Sequence, residues 1–232
     1  MDKGRLYGIG VGPGDPELMT LKALRYIKES EVIAVPGDNP RETVAYKIAE
    51  VAYPELGEKK VIGVDMPMIK DEEELNQAHD AAALVIEKIL DEGKNVAFLT
   101  LGDVCVYSTY LYVHKRVLAH GYEAEITSGI PSFCATAARL NMSLVERDEP
   151  LHVIPGTYNA ESMDKVLELP GTKVLMKGGK KMASIRDSVI ESGQEAVMIE
   201  NCGMENEVLH LSADDIPDDA SYFSLMIVKE RG

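Results

Sequence analysis

The sequence predicts an α/β fold in two domains, and three observations carry that prediction. From Arg5 to Ala119, short β-branched runs alternate with longer amphipathic runs, the order expected of a sheet covered by helices. After Gly121 the alternation restarts, and it ends in consecutive strand-like runs at 196–199, 208–211 and 222–228, a pattern that favours hairpins. The chain has 232 residues, 45% hydrophobic and 27% charged, enough to bury a core in one large domain or two small ones. The expected domains are 1–120 and 121–232, the second ending in those consecutive strands.

Each element has a local reason. Residues 5–10 read as a first strand, followed by a helix through Leu21, Leu24 and Ile27. The run 31–35 is apolar after Glu31, as a buried strand should be, and stops at Pro36-Gly37 before a helix over 42–51. A short strand is expected at 61–64. The clearest helix spans 71–90, with three acids in its first turn and Gly93 just past its end. Residues 95–101 form a strand stopping at Gly102-Asp103, and a helix over 108–119 ends at Gly121. In the second half, strands are expected at 123–127, 151–155 and 173–176. Helices are expected at 133–140, 161–167 and 182–191. No internal repeat is visible.

Composition narrows the function. The formal net charge of −15 argues against nucleic acid, whose binding is dominated by Lys and Arg contacts to phosphate. Any anionic ligand then needs its own cationic pocket. No run approaches the ~18–20 apolar residues of a membrane span, and Met1-Asp2-Lys3-Gly4 does not lead into the apolar core of a signal peptide. The cytoplasm is the expected compartment. Cys105, Cys134 and Cys202 are widely spaced, and the five histidines form no H-x-x-x-H pair. Neither a disulfide framework nor a protein metal site is expected. Cys134, inside an apolar helix, reads as a small core residue, and Met66, Met68, Met176 and Met198 read as gap fillers. His114 and His120 are expected to face water.

Four segments have the placement of a ligand site, because ligands of open α/β sheets collect beyond the carboxyl ends of strands. The first is Tyr7-Gly8-Ile9-Gly10-Val11-Gly12-Pro13-Gly14-Asp15-Pro16. It fails the dinucleotide fingerprint, since G-x-G-x-x-G counted from Gly8 lands on Pro13 and from Gly10 on Asp15. Asp15 alone is explained as a helix cap with Pro16 in the first turn, but four closely spaced glycines exceed what a turn requires. The second is 101–109, where Gly102-Asp103 precedes Val106-Tyr107-Ser108-Thr109 at a helix start. Its backbone N–H groups and hydroxyls suit a polar ligand, and Ser108 or Thr109 equally suits a cap. The third is Ser128-Gly129-Ile130-Pro131-Ser132. The fourth, Lys177-Gly178-Gly179-Lys180-Lys181, lacks P-loop spacing; it reads either as solvated surface or as a dock for carboxylates. No Ser-His-Asp arrangement is present.

Together these segments resemble the tetrapyrrole methylases. The Gly8–Asp15 loop with Leu18, Thr20, Leu21 and Lys22, the Leu101-Gly102-Asp103 run with Tyr107-Ser108, and Ser128-Gly129-Ile130-Pro131-Ser132 match three motifs of that family in order across essentially the whole chain. Within the family, Tyr107-Ser108-Thr109-Tyr110, the run from Gly129 through Phe133-Cys134-Ala135 to Ala138-Arg139-Leu140, and Leu151-His152-Val153-Ile154-Pro155-Gly156 resemble the branch that methylates C20 of precorrin-2 or cobalt-factor II. Val104 stands where the family usually has proline.

The resemblance implies two α/β domains with S-adenosylmethionine folded in the cleft between them, usually in a homodimer. It implies that Leu101, Gly102, Asp103, Val106 and Tyr107, with Ser108 and Thr109, line the methionine part of the cofactor. Ser132, Phe133, Met176 and Lys177 are then expected at the ribose and adenine, and Pro13 at the cofactor from the first loop. Gly10, Gly12, Gly14 and Asp15 would border a tetrapyrrole trough. The base that takes the C20 proton is unassigned, with Asp103 and Tyr107 as candidates. Arg5, Arg41, Arg139, Lys177 and Lys180 are candidate anchors for the substrate's carboxylates. The alternatives are a methylase of the same fold acting on another tetrapyrrole position, a protein residue or ribosomal RNA, and, from another class, a nicotinamide-dependent oxidoreductase or nucleotide-binding module.

Overall fold

A computed structural model describes residues 2–67, 69, 71–155, 160–177 and 181–230. The chain divides into two compact units, residues 1–131 and 132–232.

The first unit is built on a five-stranded parallel sheet in the order β3-β2-β4-β1-β5, with β1 at Arg5–Gly10, β2 at Val32–Pro36, β3 at Lys60–Val64, β4 at Val96–Thr100 and β5 at Glu123–Thr127. Strands β2 and β4 are buried on both faces, which is why their sequences read as unbroken apolar runs. Helices α1 (Leu21–Glu29) and α2 (Val44–Ala52) cover one face, packing Ile27, Tyr46 and Ala49 on Ile9, Ile33, Val35 and Leu99. Helices α3 (Glu72–Asp91) and α4 (Tyr110–Ala119) cover the other, packing Ile86, Leu90, Val113 and Val117 on Leu6, Val32 and Phe98. Each fully buried Ile, Leu or Phe of these layers contributes about 1.5–3 kcal/mol.

Local chemistry sets where these helices begin. Thr20 and Thr43 cap α1 and α2 by accepting from Ala23 N at 3.1 Å and Tyr46 N at 3.3 Å. Asp71 caps α3 by accepting from Glu73 N and Glu74 N, both at 3.0 Å.

The second unit has a mixed sheet in the order β6-β7-β10-β8-β9, with β6 at Leu151–Pro155, β7 at Thr172–Met176, β8 at Glu195–Glu200, β9 at Val208–His210 and β10 at Ser224–Lys229. Only β6 and β7 are parallel; the expected hairpin is β8 with β9, and β10 inserts antiparallel between β7 and β8. Helix α5 (Ser132–Arg139) covers one face through Ala137 and Phe133. Helices α6 (Ala160–Leu167) and α7 (Met182–Ser192) cover the other through Val166, Ile185 and Val189.

One boundary moves. A division near Gly121 puts residues 123–127 in the second domain, yet β5 pairs with β1 in parallel from Arg5↔Glu123 to Ile9↔Thr127. The first unit therefore extends through Pro131. A glycine after a helix marks the helix end and says nothing about which sheet the next strand joins.

Candidate functional site

Most of the glycine run is explained by packing of backbone on its neighbours. At Gly8 a Cβ would lie 2.7 Å from the Tyr110 hydroxyl and nearer still to its ring. At Gly10 it would lie 2.5 Å from Gly129 N and 2.7 Å from Gly102 O. Gly12 has φ +82° and forms an isolated antiparallel bridge with Gly102, φ +73°: Gly12 N donates to Gly102 O at 3.2 Å and Gly102 N to Gly12 O at 2.8 Å. Both lie in the left-handed region that favours glycine. Pro13 and Gly14 are buried, and Asp15 accepts from Glu17 N at 2.8 Å, capping a 3-10 turn over Pro16–Leu18. The loops that follow β1 and β4 are thus joined backbone to backbone.

The loop after β4 is the most specifically built segment. Val104 is fully buried in the core beneath the sheet, so this position packs well without proline. Asp103 binds two backbone amides, accepting from Cys105 N on Oδ1 at 2.7 Å and from Gly129 N on Oδ2 at 2.9 Å. Val106 N donates to Asp103 O at 3.3 Å, closing a turn that presents Tyr107, half exposed and at φ +51°. A tyrosine in this region carries roughly 1–3 kcal/mol of strain, a cost that recurs at functional sites. The capping reading of Ser108 and Thr109 fails. Thr109 makes no side-chain cap bond, and Ser108 Oγ is buried without a hydrogen-bond partner among the described residues. A buried hydroxyl gains by finding a partner, either a water or a polar group of a ligand.

In the second unit the structure brings Phe133 and Met176 into one apolar cluster with Val153, Leu225 and Ile227. Ser132 opens α5, and Lys177 directly follows β7 at φ +62°, its N donating to Ser224 O at 3.4 Å and its Nζ lying 6.0 Å from the Tyr222 ring centroid. The predicted site residues therefore form two groups, one on each unit: Gly10, Gly12, Pro13, Gly14, Asp15 and 101–109 on the first, and Ser132, Phe133, Met176 and Lys177 on the second.

Three further hydroxyls that sequence reasoning missed are buried and unpartnered among the described residues: that of Thr136, inside α5, and two at strand ends. The two are Thr127 Oγ1, at the end of β5, and Ser224 Oγ, at the start of β10. Thr127 looks in sequence like any β-branched strand residue, and Ser224 lies inside a run read as continuous strand. Nothing in the sequence distinguishes either one.

Three of the candidate anchors have partners of their own. Arg5 stands at the amino end of β1, away from the strand's loop end, and pairs with Glu123. Arg41 donates to the Tyr46 hydroxyl at 2.6 Å and Gly57 O at 3.1 Å, and Arg139 Nε donates to Glu207 at 2.7 Å. Lys180, like Met68, Gly156, Gly178 and Gly179, lies outside the described residues.

Two further expectations change. Cys134 is exposed, because α5 buries Ala135, Thr136 and Ala137 instead. His114 Nδ1 and the Tyr110 hydroxyl share a hydrogen bond at 3.0 Å; burial lowers the basicity of the His114 ring and pushes the Tyr110 phenol far above its ordinary range, so both stay neutral. His120 is exposed, as expected, while its Nδ1 lies 2.7 Å from the buried Glu87 carboxylate.

The family model described as Tetrapyrrole (Corrin/Porphyrin) Methylases matches residues 5–216. The chain belongs to this family. Among its relatives, a protein of Methanocaldococcus jannaschii named as a probable cobalt-precorrin-2 C(20)-methyltransferase is 35% identical over 97% of this chain and 96% of its own length. A precorrin-2 C(20)-methyltransferase of a Sinorhizobium species is 31% identical over 97% and 95%. The fold is that of solved tetrapyrrole methylases. A cobalt precorrin-4 methyltransferase superposes with TM-score 0.76 at 18% identity, over 97% of this chain and 94% of the other. The uroporphyrin-III C-methyltransferase of Thermus thermophilus complexed with S-adenosylhomocysteine superposes with TM-score 0.68 at 22% identity, over 98% of both. As in those methylases, two α/β units make up the fold, and no described helix here is long and apolar enough to cross a membrane.

Proposed function

We propose that this tetrapyrrole methylase transfers a methyl group from S-adenosylmethionine to C20 of precorrin-2 or cobalt-factor II, in cobalamin biosynthesis. The observation that carries the reading is end-to-end similarity, at 35% and 31% identity, to two proteins named for that reaction. The nicotinamide and nucleotide-module readings fall with family membership, and those relatives' names speak against a protein or ribosomal RNA target. A cytoplasmic homodimer is part of the proposal.

The residues present suit the cofactor. Around Gly102 no atom stands within 4 Å of where a Cβ would sit, so its backbone is open to a ligand. Ser108 Oγ offers a buried hydroxyl in want of a partner. In this reading Leu101, Gly102, Asp103, Val106, Tyr107, Ser108 and Thr109 surround the methionine portion, with Pro13 reaching it from the first loop. Phe133 and Met176 supply an apolar wall for adenine, and Ser132 and Lys177 stand at the ribose. Gly10, Gly12, Gly14 and Asp15 border the tetrapyrrole.

When bound, S-adenosylmethionine supplies a sulfonium methyl whose departure leaves a neutral thioether. The chain's residues therefore have little acid–base work to do in the transfer itself. Their task is orientation: holding two reactants in line can contribute up to about 7–11 kcal/mol of the barrier. The backbone bridge between Gly12 and Gly102 suits that task, because it fixes the proposed substrate wall to the proposed cofactor loop.

Incubation with S-adenosylmethionine and each tetrapyrrole, metal-free and cobalt-loaded, should add the mass of one CH₂ to one of them, with NMR placing the new methyl at C20. Absence of any gain, or a methyl at another position, would overturn the assignment.

A further inference from the structure

The sequence leaves Asp103 as a ligand contact or a candidate proton acceptor, but the structure gives its carboxylate another occupation. Its two oxygens are divided between two loops: Oδ1 takes the amide of Cys105, in its own loop, and Oδ2 takes the amide of Gly129, in the loop after β5. One residue earlier, Gly102 is bridged to Gly12 in the loop after β1. The three loops at the carboxyl ends of β1, β4 and β5 are therefore tied in series through residues 102 and 103.

Among the described residues the Asp103–Gly129 bond is the side-chain bond seen between the β4 and β5 loops. Gly129 is buried and carries no side chain, and a Cβ there would collide with Gly102 O and the Gly10 backbone. Contact between the β4 and β5 loops is thus backbone on backbone, with the Asp103 carboxylate as the polar link. Hydrogen bonds from amides to a carboxylate are charge-assisted, and protonating either oxygen would weaken one of them. A proton acceptor would loosen its own loop at the moment of reaction.

We infer that Asp103 is a positioning residue for methyl transfer, a carboxylate clamp that sets the loop carrying Val106, Tyr107 and Ser108 against the loop at Gly129, and that it is not the acceptor of the C20 proton. The inference rests on the methyltransferase reading above.

The test uses the full chain with Asp103→Asn and Asp103→Ala. Asparagine has one acceptor oxygen for two amides, so both variants should loosen the clamp. Amide exchange at Cys105 and Gly129 should quicken roughly tenfold or more while exchange in β2 is unchanged. The kcat should fall about 100-fold, the scale of a ~1 Å misplacement, S-adenosylhomocysteine should bind several-fold more weakly, and the pH profile of kcat should keep its shape. A kcat that falls with loss of the profile's acid limb, while amide exchange and S-adenosylhomocysteine affinity stay as in the wild type, would make Asp103 the base and overturn the clamp.

If neither variant folds, the wild-type protein decides. In its NMR spectra the Asp103 carboxyl carbon should show through-hydrogen-bond couplings to both the Cys105 and the Gly129 amide nitrogens; coupling to one or to neither would overturn the inference. A wild-type chain that methylates no tetrapyrrole refutes the functional reading separately, since the exchange and resonance measurements need no substrate.

Discussion

Gly10 and Gly12 are two residues apart in one motif, and their glycines are required for different reasons. At Gly10 an added methyl meets backbone atoms of Gly129 and Gly102 at 2.5 and 2.7 Å, and backbone cannot swing aside as a side chain can. At Gly12 the nearest atom to an added methyl is 3.5 Å away, so the penalty there comes from φ +82° alone. Overpacking costs roughly 1–3 kcal/mol and sometimes more, whereas a left-handed alanine costs about 1–2 kcal/mol. Gly10→Ala should therefore lower the urea midpoint more than Gly12→Ala does. The reverse order would show that the loops after β1 and β5 are not in backbone contact. The sequence revealed that bare backbone was needed here, but not what approached it. At Gly8 it is the Tyr110 ring, and at Gly10 it is another loop.

At the scale of an element, β7 carries a charge where a strand core should be apolar. Lys173 is fully buried, donating to Gln194 Oε1 at 2.9 Å, with the Glu230 carboxylate 4.0 Å off. Burial lowers its pKa below the ordinary 10.5, against the opposing pull of Glu230 and Glu149. Between the folded value and the unfolded one the unfolded chain holds more protons, so this group makes stability rise with pH across that window. Below the folded value the penalty for burying the cation is fully present. Lys173→Met removes it and should leave the protein as stable as the wild type or about 1 kcal/mol more stable at pH 7. The difference should shrink as pH climbs toward 10.5. Urea denaturation at a series of pH values tests this, and a difference that ignores pH would show that the buried ammonium carries no such penalty. Sequence reading placed a strand at 173–176 correctly, yet a lysine at a strand's edge looks like surface until the neighbouring β10 is known to cover it.

At the scale of the molecule, the elements were legible because periodicity, caps and glycine stops are local; their partners were not, because pairing is decided between distant segments. Residues 123–127 show the difference. Their β character is plain, while their place beside β1 rests on contacts more than a hundred residues away in sequence, such as Arg5↔Glu123. The two groups of candidate site residues were likewise proposed from motifs, but the Asp103–Gly129 bond and the unpartnered hydroxyls of Thr127 and Ser224 exist only in three dimensions.

The revised boundary has a physical consequence. In a fragment of residues 1–131 the sheet ends on β5, whose Glu123 and Glu125 put charge on the open edge. Its Ala124 and Ile126 pack on the core beneath α3 and α4. A fragment of 1–120 would end the sheet on β1, with Leu6, Gly8 and Ile9 on a bare edge and no charge beyond Arg5 to blunt it. The longer fragment should unfold in one cooperative transition, and the shorter should aggregate or melt without one at the same concentration. Equal stability of the two would mean that β5 contributes nothing to the first unit, and would return the boundary to Gly121.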